Sequence, residues 1–224
     1  MSYLLRVILP DRPGALGAVA TALGEAGADI LSVDVIERSS HHAVDDLVVD
    51  LPPDRLADSL VTAARSVPGV RVESIRPYAG TLDPHRELEV LDNLAAGPDD
   101  PLSVLTAGVA RIFRPGWSMV LDPPGDGGVS PVVARSQGAP ELAELPVPWW
   151  PPRPARVLDA QEPWAPRDWS GLGTELAVAP LGEGALLVGR PALRWLRAEL
   201  MRLTHLAGVA ASVTRSARAT ANPP

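Results

Sequence analysis

The sequence predicts an α+β protein made of two domains. Its 224 residues exceed what one small domain needs and suffice for two hydrophobic cores. Residues 3–78 alternate strand and helix patterns in the order βαββαβ, and proline, glycine or polar turns separate them. The remaining residues show two helical patterns, several strands and a long final helix. We expect domains at residues 1–79 and 80–218, followed by a disordered tail at residues 219–224.

The first strand and helix have the clearest pattern in the chain. Residues 3–9 alternate with one wholly apolar side, which predicts a strand that is buried on at least one face. An Asp-Arg-Pro-Gly turn follows at residues 11–14, and apolar residues then recur at helical spacing. Because proline is tolerated in the first turn of a helix, we expect the helix to open with Pro13, and Asp11 or Arg12 to lie near the cap position.

Three strands and a second helix complete the first domain. Residues 29–38 and 43–51 predict strands, and the polar residues 39–42 predict the turn between them. A helix is expected from Pro52 onward, and residues 70–78 predict the last strand. The expected apolar face of this second helix comprises Leu56, Leu60, Ala63, Ala64 and Val67.

The second domain follows a linker that is predicted at residues 79–86 because of its glycine and proline. Its long last helix shows apolar residues at three-four spacing, which indicates that it packs along its whole length. The expected elements are helices at 84–94 and 101–113, strands at 117–121 and 129–134, a hairpin at 174–189 and a closing helix at 191–218.

Residues 138–170 form a Pro/Trp-rich segment that we expect to be irregular. It contains four of the six tryptophans, and its many prolines prevent long helices or strands. One interpretation is an extended loop over the second domain's sheet, in which the tryptophans add to the core. The alternative is a lid over a pocket, or a surface around Trp149 and Trp150 for a protein partner.

The composition excludes several classes of function. The sequence contains no cysteine, and all 20 basic residues are arginine, which excludes thiol catalysis, Cys-ligated zinc, lysine Schiff bases and P-loop lysines. A net charge of -7 argues against a nucleic acid partner. No apolar run approaches the roughly 20 residues of a membrane helix, and the start of the chain lacks an export signal. We therefore expect a cytoplasmic protein with no membrane partner.

The N-terminal pattern resembles that of the ACT domain, a small regulatory module that binds amino acids. The resemblance rests on the first strand, the Asp-Arg-Pro-Gly turn at residues 11–14, the helix, and Gly27, Asp29 and Ile30 at the second strand. It covers residues 1–78 and implies a ferredoxin-like βαββαβ fold. It also implies an amino acid ligand and a homodimer, because ACT domains generally pair and the chain contains one copy.

The resemblance further implies where the ligand lies, namely at the interface between paired domains. A helix N-terminus attracts an α-carboxylate, and a carboxylate side chain suits an α-ammonium. Asp11 and Asp29 also fit structural roles that require no ligand, namely Asp11 as the N-cap of the helix and Asp29 as a turn residue. Leu9, where some ACT domains have a polar residue, leaves the identity of the effector open. The expected ligand-binding residues are Asp11, Arg12, Pro13, Gly14, Ala15, Leu16, Asp29 and Ile30.

The second half resembles the GAF domain in outline, with leading helices, a strand pair, an irregular middle, a hairpin and a long closing helix. The resemblance implies an α/β domain that binds a small ligand or dimerises. We identify no cofactor, and we favour a solvated turn over a metal site at His41 and His42, although Asp45, Asp46 and Asp50 are near in sequence.

Together these features predict a non-enzymatic regulatory protein that binds a small molecule and acts as a homodimer. An amino acid is the small molecule that we expect. A first alternative is a subunit that controls a separate enzyme by contact. A second alternative is an enzyme with its site in the second domain, although the residues show no catalytic constellation. Direct DNA binding ranks lower, because the charge is negative and no helix-turn-helix pattern is present.

Overall fold

The structure, a computed structural model, describes residues 1–78, 86–113 and 116–221, and the side chains of residues 216–221 are not described. The chain divides into two compact units, Met1–Asp83 and Pro84–Pro224. The predicted boundary at residue 79 and most of the predicted linker fall outside the described residues.

The first unit is a four-stranded antiparallel sheet with two helices on one face. The sheet order is β2-β3-β1-β4, so β2 and β4 are the edge strands. The predicted βαββαβ order is confirmed. The elements are β1 (Ser2–Pro10), α1 (Ala15–Glu25), β2 (Asp29–Arg38), β3 (His42–Asp50), α2 (Asp58–Ser66) and β4 (Arg71–Pro77).

The core of the first unit lies between the two helices and one face of the sheet. β1 and β3 pair from Ser2 opposite Asp50 to Pro10 opposite His42, and this register places Leu5 against Leu47 on the covered face. The side chains that meet there include Leu5, Val7, Leu9, Ala15, Val19, Leu23, Leu47, Val49, Leu60 and Ala64.

Helix α2 begins at Asp58, six residues after the predicted start at Pro52. The prediction that Leu56 belongs to its apolar face is wrong, because this side chain is 78% exposed. The residues before the helix form turns instead, in which the Arg55 N–H bonds the Pro52 carbonyl and the Leu56 carbonyl accepts the Ser59 N–H. Leu56 therefore precedes the helix and is exposed to solvent.

The second unit contains a six-stranded antiparallel sheet in the order β7-β6-β5-β10-β9-β8. The helices α3, α4 and α6 pack on one face of this sheet through an apolar cluster. The elements are α3 (Arg86–Ala95), α4 (Pro101–Ile112), β5 (Trp117–Leu121), β6 (Val129–Arg135), β7 (Glu144–Pro146), β8 (Arg156–Leu158), α5 (Arg167–Gly171), β9 (Thr174–Leu181), β10 (Gly184–Pro191) and α6 (Arg197–Ala221).

The Pro/Trp-rich segment covers the opposite face of this sheet, as its first interpretation expected. Trp169 is buried there and contacts Trp117 and Trp164, with ring centroids 5.0 and 6.3 Å apart. Trp149 extends the row between Trp164 and Trp150. The segment is less irregular than predicted, because it contains β7, β8 and the start of α5. These elements are only three to five residues long, and β7 and β8 are the two edge strands of the sheet, so periodicity does not reveal them.

The long helix α6 begins at Arg197, six residues after the predicted start. The buried Arg190 guanidinium holds the preceding loop, because Nε and Nη2 donate to the carbonyls of Leu193 and Arg194 at 2.9 and 2.7 Å. It also forms a buried ion pair with Glu199, whose Oε2 accepts the Leu196 N–H and so caps the helix. A tertiary ion pair therefore sets the start of α6.

The end of α6 lies at Ala221, three residues beyond the predicted end. The tail predicted as disordered at residues 219–224 is therefore helical over residues 219–221, where two of the three residues are alanine, the strongest helix former. Residues 222–224 lie outside the described part of the chain.

Candidate ligand site at the first helix

The turn at residues 11–14 places Gly14, and not Asp11 or Arg12, at the N-cap of α1. Gly14 has φ +84°, a left-handed conformation that glycine adopts without strain, and no side chain caps the helix. Pro13 lies in the turn and not in the first helical turn, so both expectations for this start are wrong. The physical reason is the ion pair of Asp11, whose carboxylate oxygens accept the Arg38 Nε–H at 2.9 and 3.0 Å.

The first turn of α1 presents unpaired N–H groups beside that ion pair. The Ala15 N–H bonds the Arg12 carbonyl and the Ala18 N–H bonds the Gly14 carbonyl. Among the hydrogen bonds of residues 1–78, none engages the N–H groups of Leu16 and Gly17. These groups and the helix dipole give this end of α1 a positive partial charge.

The β2–β3 turn lies against the same loop. The Asp11 N–H bonds the His41 carbonyl at 3.3 Å, and Arg38 ends β2 directly before this turn. The imidazoles of His41 and His42 contact different serine hydroxyls, Ser40 Oγ and Ser39 Oγ. Within the described residues, no group of three or more His, Asp or Glu side chains is placed to hold a metal ion.

A second carboxylate, that of Asp45, is buried near this loop. Asp45 pairs with Val7 on β1 and with Val35 on β2, so its side chain lies on the helix-covered face of the sheet. It is 2% exposed, and Oδ1 has no hydrogen bond partner within the described structure. Burial raises the pKa of the Asp45 carboxyl above its ordinary value, and the charges of Asp46 and Asp11 raise it further.

The neighbouring Asp46 points to the other face and is paired. Its two oxygens accept from Arg6 Nε at 2.6 Å and from Arg6 Nη2 at 2.7 Å, in a bidentate arrangement. From the sequence, Asp45 and Asp46 group together as residues near the alternative metal site at His41 and His42. The buried position of Asp45 on the covered face is not predicted. The missed signal is the alternation Ala43, Asp45, Leu47, Val49, in which one apolar-face position carries a charge.

Asp29 and Ile30, the other predicted site residues, lie at the opposite end of the sheet from Asp11. Asp29 pairs with Asp50, which pairs with Ser2 at the start of β1, whereas Asp11 follows its end. At about 3.3 Å per residue, the two ends of β1 are roughly 25 Å apart. Ile30 packs against the core. One copy of the chain therefore brings together the residues 11–16 but not Asp29 and Ile30.

The edge strand β2 exposes three apolar side chains. Leu31, Val33 and Val35 are 42%, 40% and 59% exposed, and the outer edge of β2 has no neighbouring strand within the described unit. Such an edge presents backbone N–H and C=O groups to any strand that can pair with it.

The second unit has a shallow cavity of about 420 Å³ beside β8 and the start of β9. Its polar lining includes Asp159, Gln161 and Glu175. None of these residues belongs to the predicted site. No helix within the described ranges is both long and apolar enough to cross a membrane.

Comparison with known families and structures bears on both units. Residues 3–69 match the family model described as the ACT domain. The resemblance predicted for the N-terminal half is thereby confirmed, and the first unit is called the ACT unit below.

A curated relative and two solved structures are also similar to the chain. The chain is 30% identical over 95 residues to an NAD-dependent malic enzyme of Geobacillus stearothermophilus, covering 42% of this chain and 20% of that enzyme. The chain thus spans about a fifth of the length of this relative.

The GAF domain of an Acinetobacter phosphoenolpyruvate-protein phosphotransferase is 14% identical, with a TM-score of 0.46, and covers 62% of this chain and 96% of its own. A free methionine-R-sulfoxide reductase of Neisseria meningitidis, solved with its substrate, is 17% identical, with a TM-score of 0.48 and coverages of 65% and 98%. GAF domains are thus among the solved structures similar to this chain, as the sequence predicted.

Proposed function

We propose that this chain is a non-enzymatic regulatory protein that binds a free amino acid at its ACT unit and acts as a homodimer. The observation that supports this best is the start of α1, where unpaired amides lie beside the Asp11–Arg38 ion pair. The match of residues 3–69 to the ACT domain supports a small-molecule ligand at this place.

An amino acid suits the charges at this site. Its α-carboxylate would accept from the N–H groups of Leu16 and Gly17, at the positive end of the helix dipole. The Arg38 guanidinium, whose Nε lies 2.9 Å from the Asp11 carboxylate, adds a second positive charge to this site. The Arg38 side chain is 72% exposed. The α-ammonium of the amino acid requires a hydrogen bond acceptor, and the carboxylates of Asp11 and Asp45 both lie in this region.

A homodimer would complete the site with Asp29. If two copies pair antiparallel along their β2 edges, the start of one β2 lies beside the end of the other. Asp29 of the second copy would then lie near Arg38, and therefore near Asp11, although the two are far apart within one copy. The exposed Val33 and Val35 on this edge would be buried in the same pairing.

Regulation would follow from linkage between ligand and dimer. A ligand that contacts both copies favours the arrangement that forms both contacts, by no more than its differential affinity for it. Dissociation constants of about 1 mM to 1 μM correspond to about -4 to -8 kcal/mol, which is ample to shift such an equilibrium.

A second candidate is a subunit that regulates a separate enzyme by contact. Trp149 and Trp150 are only partly buried, and they form one end of the tryptophan row on the second unit. Aromatic side chains of this kind are enriched in protein interfaces. The similarity to a part of an enzyme also fits this role.

A thermal-shift screen of the twenty amino acids at about 5 mM tests the first proposal. A ligand at 100 times its dissociation constant adds about 2.7 kcal/mol, which raises the midpoint of a unit of this size by roughly 10–20 °C. We expect one amino acid to do so and both Asp11→Ala and Asp29→Ala to reduce the rise. The exposed Asp54→Ala variant is the control and should respond like the original chain.

Mixing the two variants distinguishes a shared site from two separate effects. Each mixed dimer of Asp11→Ala and Asp29→Ala contains one intact site, so the mixture should recover part of the binding that each variant has lost. A mixture that binds no better than its components contradicts a shared site. The absence of any response among the twenty amino acids contradicts the proposed ligand class.

A further inference from the structure

We propose that Asp45 is the residue that binds the ammonium group of the effector. This inference rests on the function proposed above and specifies how its site recognises an amino acid. The sequence indicated Asp11 and Asp29 as the carboxylates of the site and did not single out Asp45.

The position of Asp45 fits the role. Its cross-strand neighbour Val7 is fully buried in the core under α1 and α2, so Asp45 lies on the same covered face. Its other neighbour, Val35, lies three residues before Arg38 on the edge strand. Val35 is 59% exposed, so the buried carboxylate lies next to a strand position that is open to solvent.

The distribution of charge singles out Asp45 among the three carboxylates of this region. Asp11 is paired with Arg38, and Asp46 is paired with Arg6. Within the described residues, no hydrogen bond or ion pair engages the Asp45 side chain, and Oδ1 is fully buried. A buried carboxylate without a partner is costly to keep ionised, and an ammonium group supplies both the charge and the donors that it lacks.

The neighbouring charges favour a cation at this point. The negative charges of Asp46 and Asp11, which contribute to the raised pKa of Asp45, would also attract a positive group beside it. Asp11 is the weaker candidate, because an ammonium that takes its carboxylate must first displace the Arg38 guanidinium.

The test compares each compound with its counterpart that lacks the ammonium. The amino acid that stabilises the full chain most in the twenty-compound screen is titrated by calorimetry, together with the 2-hydroxy acid of the same side chain. In the original chain, we expect the hydroxy acid to bind at least about tenfold more weakly, since its neutral hydroxyl forms no ion pair with Asp45.

The Asp45→Asn variant should lose this discrimination. The amino acid should bind it at least about tenfold more weakly than the original chain, and the affinity of the hydroxy acid should change little. Asp34→Asn is the matched control, because Asp34 is an exposed carboxylate on the adjacent strand, and it should discriminate like the original chain.

Three outcomes separate this inference from the proposed function. If no amino acid binds the original chain, both fall. If the amino acid binds and the hydroxy acid binds equally well, Asp45 is not an ammonium site, although the chain remains an amino acid sensor. If Asp45→Asn keeps full affinity and discrimination, the inference also falls. The first comparison requires no variant, so it can overturn the inference even if Asp45→Asn does not fold.

Discussion

Asp45 combines a carboxylate with a buried position among apolar side chains, and this combination has a consequence for stability. In the folded chain, burial foremost, and then the charges of Asp46 and Asp11, raise the pKa of this carboxyl above 3.8. Between 3.8 and the raised value, the folded chain binds more protons than the unfolded chain. The free energy of unfolding therefore falls as the pH rises through this window.

We predict that Asp45→Asn stabilises the ACT unit at pH 7 and that this gain disappears below about pH 4. The amide keeps the shape of the side chain but cannot ionise, so it removes the cost of a buried charge. Hydrogen exchange of the β1 and β3 amides measures the effect, because all six tryptophans lie in the second unit. Parallel pH profiles for both chains would contradict the prediction, and Asp34→Asn is again the control.

A gain in stability together with a loss of ammonium binding would be informative. Residues of a functional site often lower the stability of the folded protein, because their polar groups have partners only when the ligand is bound. An Asp45 that served only to fold the unit would not show both effects.

At the scale of elements, the crossing of α3 and α4 depends on Gly108. A Cβ atom at this position would overlap the Val90 side chain on α3. Gly108 is buried, so neither helix can move apart without opening the core.

We predict that Gly108→Ala destabilises the second unit by about 1–3 kcal/mol, the usual cost of overpacking. The matched control is Gly208→Ala on α6, where an added Cβ would meet no atom within 4 Å. Because alanine favours a helix over glycine, this control should stabilise the unit by about 0.5–1 kcal/mol. Urea unfolding followed by tryptophan fluorescence reports on this unit, and equal effects of the two variants would contradict the packing argument.

At the scale of the whole molecule, the proposed homodimer depends on the β2 edge. We predict that Val35→Glu gives a monomer, because an inward charge would be buried in the pairing and charged edges block strand addition. The control is Leu56→Glu, which changes the most exposed leucine among the described residues of the same unit, before α2 and outside the strands.

Sedimentation at several concentrations tests this assembly. Leu56→Glu should remain a dimer where Val35→Glu is a monomer, and the monomer should also bind the amino acid more weakly, since Asp29 of a second copy is missing. A Val35→Glu variant that sediments like the control would exclude the β2 edge as the interface.

Much of the ACT unit could be predicted because its signals are local. β2 spans Asp29–Arg38, the predicted range, and its alternation alone indicates a strand. Gly27, with φ +84°, ends α1 in a motif in which the Ala28 N–H bonds the Leu23 carbonyl. The start of α1 was not predictable in the same way, because the Asp11 carboxylate forms an ion pair with the distant Arg38 and does not cap the helix.

The sequence by itself determined the order of elements in the first unit, its ACT resemblance and the residues of the loop before α1, since these depend on neighbours within a few positions. Only the tertiary structure decided which carboxylates are paired. Asp11 meets Arg38 across 27 positions and Asp46 meets Arg6 across 40. The register of the strands brings these residues together and leaves Asp45 without a partner among the described residues. It also places Asp29 at the far end of the sheet from Asp11. Such a register is set by the packing of whole strands, so residues near one another in sequence do not reveal it.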